Sequence, residues 1–495
     1  MGKKTVLFFF GAALAVIAFG MGNKEVGPAS GNPLEGSLGG KIRVSCYDSL
    51  GYRNFLEEAA KLFMEKYPGT EAEVQTFSAM PEVRSSGEGD TRMVLVVQTE
   101  DDPRSRNDYI NRVNTALMSG EGADIYAADI LPFHKYAESG QFEHLATYMS
   151  GDPAWAGVDF RANILEAAKF HGGLWFMPLD YGFDYYAYDT VLLPERTIFG
   201  PESAFTTEAL MDMAKPLFDG GEKIFDAFDY VPGSSPGPGD MFDQLLFEYY
   251  PSLVDLENKK ANFNDGTFVK ILELVKEYAG AGYIPRSTAG EANPGEMRRR
   301  AQGQETDRYF FKLHNNFSLV SQAGRGSGRR FTIRAAGNSG GVEDDDEIAG
   351  IRANRDGGIP FRFSHAFGIN RNSKNKRTAW EFLKFLLSDE IQASTALSPS
   401  ALPVNNRART EKAALLLSGG FMGREAPPDE RQEDAVRRYR AAVEGLSDQI
   451  NRYVLEDTVI NDMIAAEAAH FFRGAKTAEE TAAVLQNRVN LYLHE

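Results

Sequence analysis

Three short segments of this chain run through apolar residues and then stop on a carboxylate. Lys41-Ile-Arg-Val-Ser-Cys-Tyr47 ends at Asp48, Ala123-Asp-Ile-Tyr-Ala-Ala128 at Asp129, and Gly173-Leu-Trp-Phe-Met-Pro-Leu179 at Asp180. Period-two alternation and short apolar runs of this length read as strands. Strands that alternate with helical patterns fold through βαβ crossovers into mostly parallel sheets. In open α/β sheets ligands collect outside the carboxyl ends of the strands. Three acceptor side chains there, near Tyr47, Trp175, Tyr181 and Tyr185, describe a pocket for a hydroxyl-rich molecule.

Size and charge narrow the class. A chain of 495 residues exceeds one hydrophobic core and suits two large α/β lobes. The formal net charge of −17 argues against nucleic acid and anionic lipid, which need clustered Lys and Arg.

The amino terminus reads as a targeting segment. Lys3 and Lys4 precede an apolar run from Val6 to Phe19, and Ala18-Phe-Gly20 offers a cleavage site before Met21. Residues 1–21 are therefore expected as a signal peptide and 22–40, rich in Gly, Pro, Ser and Asn, as a flexible tether. Export to the periplasm, or otherwise outside the cytoplasmic membrane, follows. Lipidation needs a cysteine at the new amino terminus, but position 21 is Met, which leaves a lipid anchor without its attachment point. The single cysteine, Cys46, lies inside the first strand and reads as a small buried hydrophobe.

Further along, Asn54 is placed to cap a helix bearing Phe55, Ala59, Leu62 and Phe63 on one face, ended by Tyr67-Pro68. Strands are expected at residues 71–77, 93–98, 185–188, 317–320 and 365–370. Helices are expected at 109–118, through Phe133 and Tyr136 to Gly140, from Thr206 or Thr207, at 240–250, 267–280 and 378–387, and over most of 405–495. The segment 232–239 reads as a loop, and glycine-rich 322–358 contains an acidic run at 343–347 that reads as a solvated face.

Taken in order, several segments resemble the extracellular solute-binding proteins of ABC importers, in particular the carbohydrate-binding group that includes maltose-binding protein. They are 108–120, Ala123-Asp-Ile125, Tyr136-Ala-Glu-Ser-Gly-Gln-Phe-Glu143, 172–178, 369–376 with 379–386, Leu402-Pro-Val404 and 478–487. The resemblance implies a two-lobed periplasmic-binding-protein fold, each lobe a mostly parallel sheet flanked by helices and joined by crossover hinge segments. It places 41–181 with 358–397 in the first lobe and 182–357 with 398–495 in the second. It also implies a monomer that binds a sugar or oligosaccharide by hinge closure and hands it to the importer's permease subunits, without cofactor, metal or catalysis. Asp48 and Asp129 fall where relatives contact sugar hydroxyls. Asn316 and Phe317 occupy the stretch where relatives carry a stacking aromatic from the second lobe.

Other readings stay open at this point. Asp at a strand end also caps the next helix, and Trp175 serves core packing as readily as sugar stacking. The same carboxylates and aromatics suit a cationic solute such as a polyamine, or an exported glycoside hydrolase with two carboxyls across a scissile bond. Catalytic look-alikes fail on context. Gly337-Asn-Ser-Gly-Gly341 lacks the strand and helix of a nucleophile elbow, and Gly324-Arg-Gly-Ser-Gly328 lacks the setting of a dinucleotide site.

Overall fold

The alternation in the first strand becomes β1 (Gly40–Tyr47), with Ile42, Val44 and Cys46 buried. The computed structural model describes residues 34, 36–48, 52–77, 103–193, 198–227, 240–285, 308–316, 319, 346–393, 402–418 and 430–495. Leader, tether to residue 33, the segment 93–98, the loop 232–239 and both glycine-rich motifs lie outside the described residues.

β1 pairs in parallel with β2 (Thr70–Phe77) and β3 (Ile125–Ala127). The helix Tyr52–Lys66 returns the chain between β1 and β2 and buries Phe55, Leu56, Ala59, Ala60 and Phe63. Burying each such large side chain stabilises by about 1.5–3 kcal/mol. β4 (Met177–Pro178) completes the edge of this sheet. β5 (Asp180–Tyr181) leads on to β6 (Asp184–Asp189), the central strand of a second sheet.

The second sheet adds β7 (Ala204–Phe205), β8 (Lys223–Phe225), β11 (Tyr309–Asn315) and β12 (Asp346–Arg352), in the order β7-β12-β6-β11-β8. Between them β9 (Val254–Asp255) and β10 (Lys260–Ala261) form a small antiparallel pair. The chain then returns through β13 (Pro360–Phe361) to β14 (Ala366–Ile369), which fills the first sheet in the order β2-β1-β3-β14-β4. β15 (Leu402–Pro403) pairs with β5, and β16 (Arg452–Tyr453) with β13.

In each sheet one strand runs against the rest, and it is the one the chain uses to cross over. β14 is antiparallel to β3 and β4, and β6 is antiparallel to β11 and β12. A strand arriving from the far sheet enters at the carboxyl edge and must run backwards. The carboxyl edges of both sheets are therefore opposite one another, separated by short crossovers. The crossovers pair at their midpoint, where Gly182 and Arg362 exchange backbone hydrogen bonds of 2.7 and 2.9 Å.

The mixed α/β class, the mostly same-direction sheets and most helices agree with the expectations. Three local expectations change. The helix expected to be capped by Asn54 begins at Tyr52, with the Arg53 N–H donating to Asp48 at 3.3 Å. The strand expected at 317–320 comes earlier, as Tyr309–Asn315, and Leu319 is helical. Asp346, expected on a solvated face, is buried, with Lys312 Nζ 3.1 Å from its carboxylate. The pair satisfies two charges, carried by the strands on either side of β6, that would otherwise be buried alone.

Candidate functional site

β1 and β3 pair in parallel with Ser45 opposite Tyr126, and Asp48 and Asp129 follow the last residues of these two neighbouring strands by one and two positions. β14 continues the sheet beyond β3, with Phe367 opposite Ala127. Neighbouring strands lie about 4.8 Å apart, so both carboxylates share the carboxyl edge of the first sheet. The Asp48 side chain keeps 20% exposure, with Arg53 Nε 4.0 Å away. Asp129 is partly exposed, and its charge reaches Cys46, Tyr109 and Tyr453. Burial pushes the Cys46 thiol far up, which leaves it unreactive.

The remaining candidates need correction. Asp180 is fully buried: its Oδ1 accepts the Ser364 N–H at 2.7 Å and the His365 N–H at 3.3 Å, and His365 Nδ1 lies 2.5 Å from Oδ2. It fastens one crossover to the other rather than facing a ligand. Tyr181 is buried, with its hydroxyl 3.4 Å from Ser447, and Tyr185 is buried against His314 in the second sheet. Tyr47 is buried between Phe77 and Tyr109. Asn316 is buried, and its Oδ1 accepts the Phe183 N–H at 3.1 Å, which pins the first crossover. Trp175 lies on the row of Ile369, near the amino end of its strand, and donates to the Phe170 carbonyl at 2.9 Å. That is four residues short of the carboxyl edge. Phe317 lies outside the described residues. Trp380 is buried in the core, and the Trp155 ring centroid lies 5.3 Å from its own.

The carboxyl edge of the second sheet holds a chain of charges the sequence did not reveal. Glu248 is fully buried and accepts from Thr207 N and Oγ1, from the Tyr186 hydroxyl at 2.6 Å and from Arg352 Nε at 3.2 Å. Arg352 donates onward to Asp184 at 3.0 Å and to the Gln244 carbonyl. Arg362, on the returning crossover, donates to the same Asp184 oxygen at 3.0 Å, and its Nε lies 3.7 Å from Glu456. The Arg362 guanidinium lies over the Phe247 ring, 3.6 Å from its centroid.

Several side chains along this chain of charges stay partly exposed. Glu456 and Arg362 side chains keep 28% and 43% exposure, and Asp243 is also partly exposed. Yet desolvation raises the Asp243 carboxyl, opposed by Arg362 and Arg352 and reinforced by Asp184. Desolvation likewise raises Glu456, opposed by Arg362 and reinforced by Asp243. Tyr453 joins the two edges: its ring stacks on Phe363 at 4.8 Å, and both Glu456 and Asp129 act on its hydroxyl. Nearby, the Thr458 hydroxyl donates to the Ile130 carbonyl at 3.4 Å, which brings the helix Thr458–Phe472 against the first sheet's edge.

Sequence reasoning missed Asp184, Asp243, Arg362, Tyr453 and Glu456. One local signal existed: Phe361-Arg-Phe363 sets a lone arginine between two aromatics in a crossover. Among the described residues no cluster of His, Cys, Asp and Glu is arranged to hold a metal, and no helix is long and apolar enough to cross a membrane.

The model of the bacterial extracellular solute-binding protein family matches residues 97–414, and the chain belongs to that family. Solved structures share the fold. A family 1 extracellular solute-binding protein from Bifidobacterium longum subsp. infantis aligns at 17% identity and TM-score 0.53, covering 91% of this chain and 99% of that one. The GacH receptor of Streptomyces glaucescens, solved unliganded and with acarbose, aligns at 16% identity and TM-score 0.51, covering 93% and 100%. Maltose-bound MalE3 of T. maritima aligns at 14% identity and TM-score 0.51, covering 91% and 99%.

Proposed function

We propose that this protein is the exported, monomeric receptor of an ABC importer and binds a sugar or oligosaccharide in the recess between two hinged lobes. Residues 41–181 with 358–397 make one lobe and 182–357 with 398–495 the other, and residues 1–21 direct export. What supports this reading is that Asp48 and Asp129 follow two adjacent parallel strands of one sheet, while Asp184 opens the central strand of the other and is joined through Arg362 to Glu456. Carboxylates accept several charge-assisted hydrogen bonds each, which suits a polyol. The aromatic rings of Tyr453 and Phe363 lie beside them and offer flat faces for a sugar ring. The acarbose- and maltose-bound relatives support a carbohydrate.

A solute touching both edges favours the closed arrangement over the open one and shifts its population. The closed form would then deliver the solute to the permease, with no bond broken. The test is a thermal-shift screen against mono- and oligosaccharides, with mass spectrometry of small molecules released on denaturation. A sugar at 100 times its dissociation constant raises stability by about 2.7 kcal/mol. Stabilisation by no sugar, with oligosaccharides cleaved on incubation, would replace the receptor by a hydrolase.

A further inference from the structure

An arginine partly exposed in a binding recess ordinarily invites a carboxylate or phosphate, because its planar fork matches both. Arg362 does not fit that pattern. Its Nη1 already donates to Asp184, an oxygen it shares with Arg352, and its Nε faces Glu456. Its face is spent on Phe247. Asp243 stands close enough for Arg362 and Arg352 to oppose its protonation, and Asp184 and Glu456 are near enough to each other's partners to couple with it. Arg352 is itself matched by the buried Glu248. Among the described residues, carboxyls therefore outnumber guanidiniums around this point.

Resting on the sugar-receptor reading, we infer that the recess selects by charge: it accepts neutral or ammonium-bearing sugars and rejects acidic ones, with Arg362 serving as a hydrogen-bond donor to hydroxyls. Nη1 and Nε face Asp184 and Glu456, which leaves Nη2 to a solute. A hydroxyl accepting from it can donate in turn to Glu456 or Asp243, and a vicinal pair of hydroxyls can use both. A sugar carboxylate in that place would meet Arg362 already neutralised and would stand beside Asp243 and Glu456. Like charges brought together in a recess weaken binding steeply.

Calorimetry with matched sets tests this: glucosamine, glucose and glucuronate, and the corresponding galactose and maltose series. The expected order is amine at least equal to neutral, with the acid weaker by at least about tenfold. Glu456→Gln and Asp243→Asn should each narrow the gap between neutral and acidic sugar. Arg362→Gln should weaken the neutral sugar by roughly 10- to 100-fold, and Arg362→Lys, which keeps the charge but loses the fork, should not restore it. Circular dichroism of each variant establishes folding. An acid that binds as tightly as its neutral parent, and is lost in Arg362→Gln, overturns the selection and leaves the sugar receptor standing. An unchanged gap in both carboxyl variants also overturns it. A folded wild type that binds no member of any set overturns the receptor reading itself, and this inference with it.

Discussion

The two carboxyl edges that face each other are held together by different means. On the first, the key carboxylates are satisfied by backbone N–H groups, one of them local and two brought in by the returning crossover. Asp180 accepts two consecutive N–H groups of the returning crossover, and Asp48 accepts the N–H of Arg53. On the second, the order Glu248, Arg352, Asp184, Arg362, Glu456 alternates in sign through side chains drawn from five different elements. The bond to Asp48 is set by the local path of the chain, whereas the two to Asp180 need the crossovers to meet. Ion pairs are set only when the whole fold has formed, and in a recess each link depends on the next one.

The sharpest way to break this contrast is at the buried end of the charge chain. Glu248→Ala leaves Arg352 without its main partner and frees the Thr207 and Tyr186 donors. Removing one partner of a buried pair costs about 3–5 kcal/mol. Urea unfolding should show that loss, and solute affinity should fall with it, because Asp184 and Arg362 lose their bracing. A loss under about 1 kcal/mol would mean the chain is a set of independent contacts.

The corresponding break on the first edge should separate two carboxylates that look alike in sequence. Asp180→Ala removes the acceptor of two buried N–H groups and should destabilise by roughly 1–3 kcal/mol while affinity stays close to wild type once the protein is folded. Asp129→Ala should do the reverse, weakening sugar binding by about 1.5–3 kcal/mol with a small change in urea midpoint. If both variants lose affinity and neither loses stability, Asp180 belongs to the solute site after all.

This difference also explains what the sequence could disclose. Strand ends are local events, so the places of Asp48 and Asp129 just after β1 and β3 were legible. The burial of Asp180, Tyr181, Tyr185 and Asn316 was not legible. It depends on the second crossover and the helix Glu430–Ser447 packing over the first, contacts more than 100 residues apart in sequence. Asp243 and Glu456 look like ordinary first-turn and N-terminal acids, and only the arrival of Arg362 between them gives them a role. The fold was easier because strand and helix periodicity repeat over many residues, whereas a charge chain has no period.

The smallest expected effect is in pH dependence, and it should differ in sign between groups in the recess and at its border. Asp243 and Glu456 have carboxyls raised above the ordinary range in the folded protein, chiefly by desolvation. The folded state then holds protons that the unfolded chain has released. Their contribution is greatest below the unfolded carboxylate range and is lost as pH rises through the raised values. Asp243→Asn and Glu456→Gln should therefore raise the thermal midpoint relative to wild type at neutral pH and leave it nearly equal near pH 4. His134, 3.5 Å from Asp457, is pushed down to about 4 by burial. The unfolded chain binds that proton first, so its contribution is present above the ordinary histidine value of 6.5 and fades as pH falls toward 4. His134→Gln should flatten the midpoint between pH 6.5 and 4, the opposite slope to the two carboxyl variants. Parallel slopes for all three would show that one shared group, rather than the separate surroundings of recess and border, governs the titration.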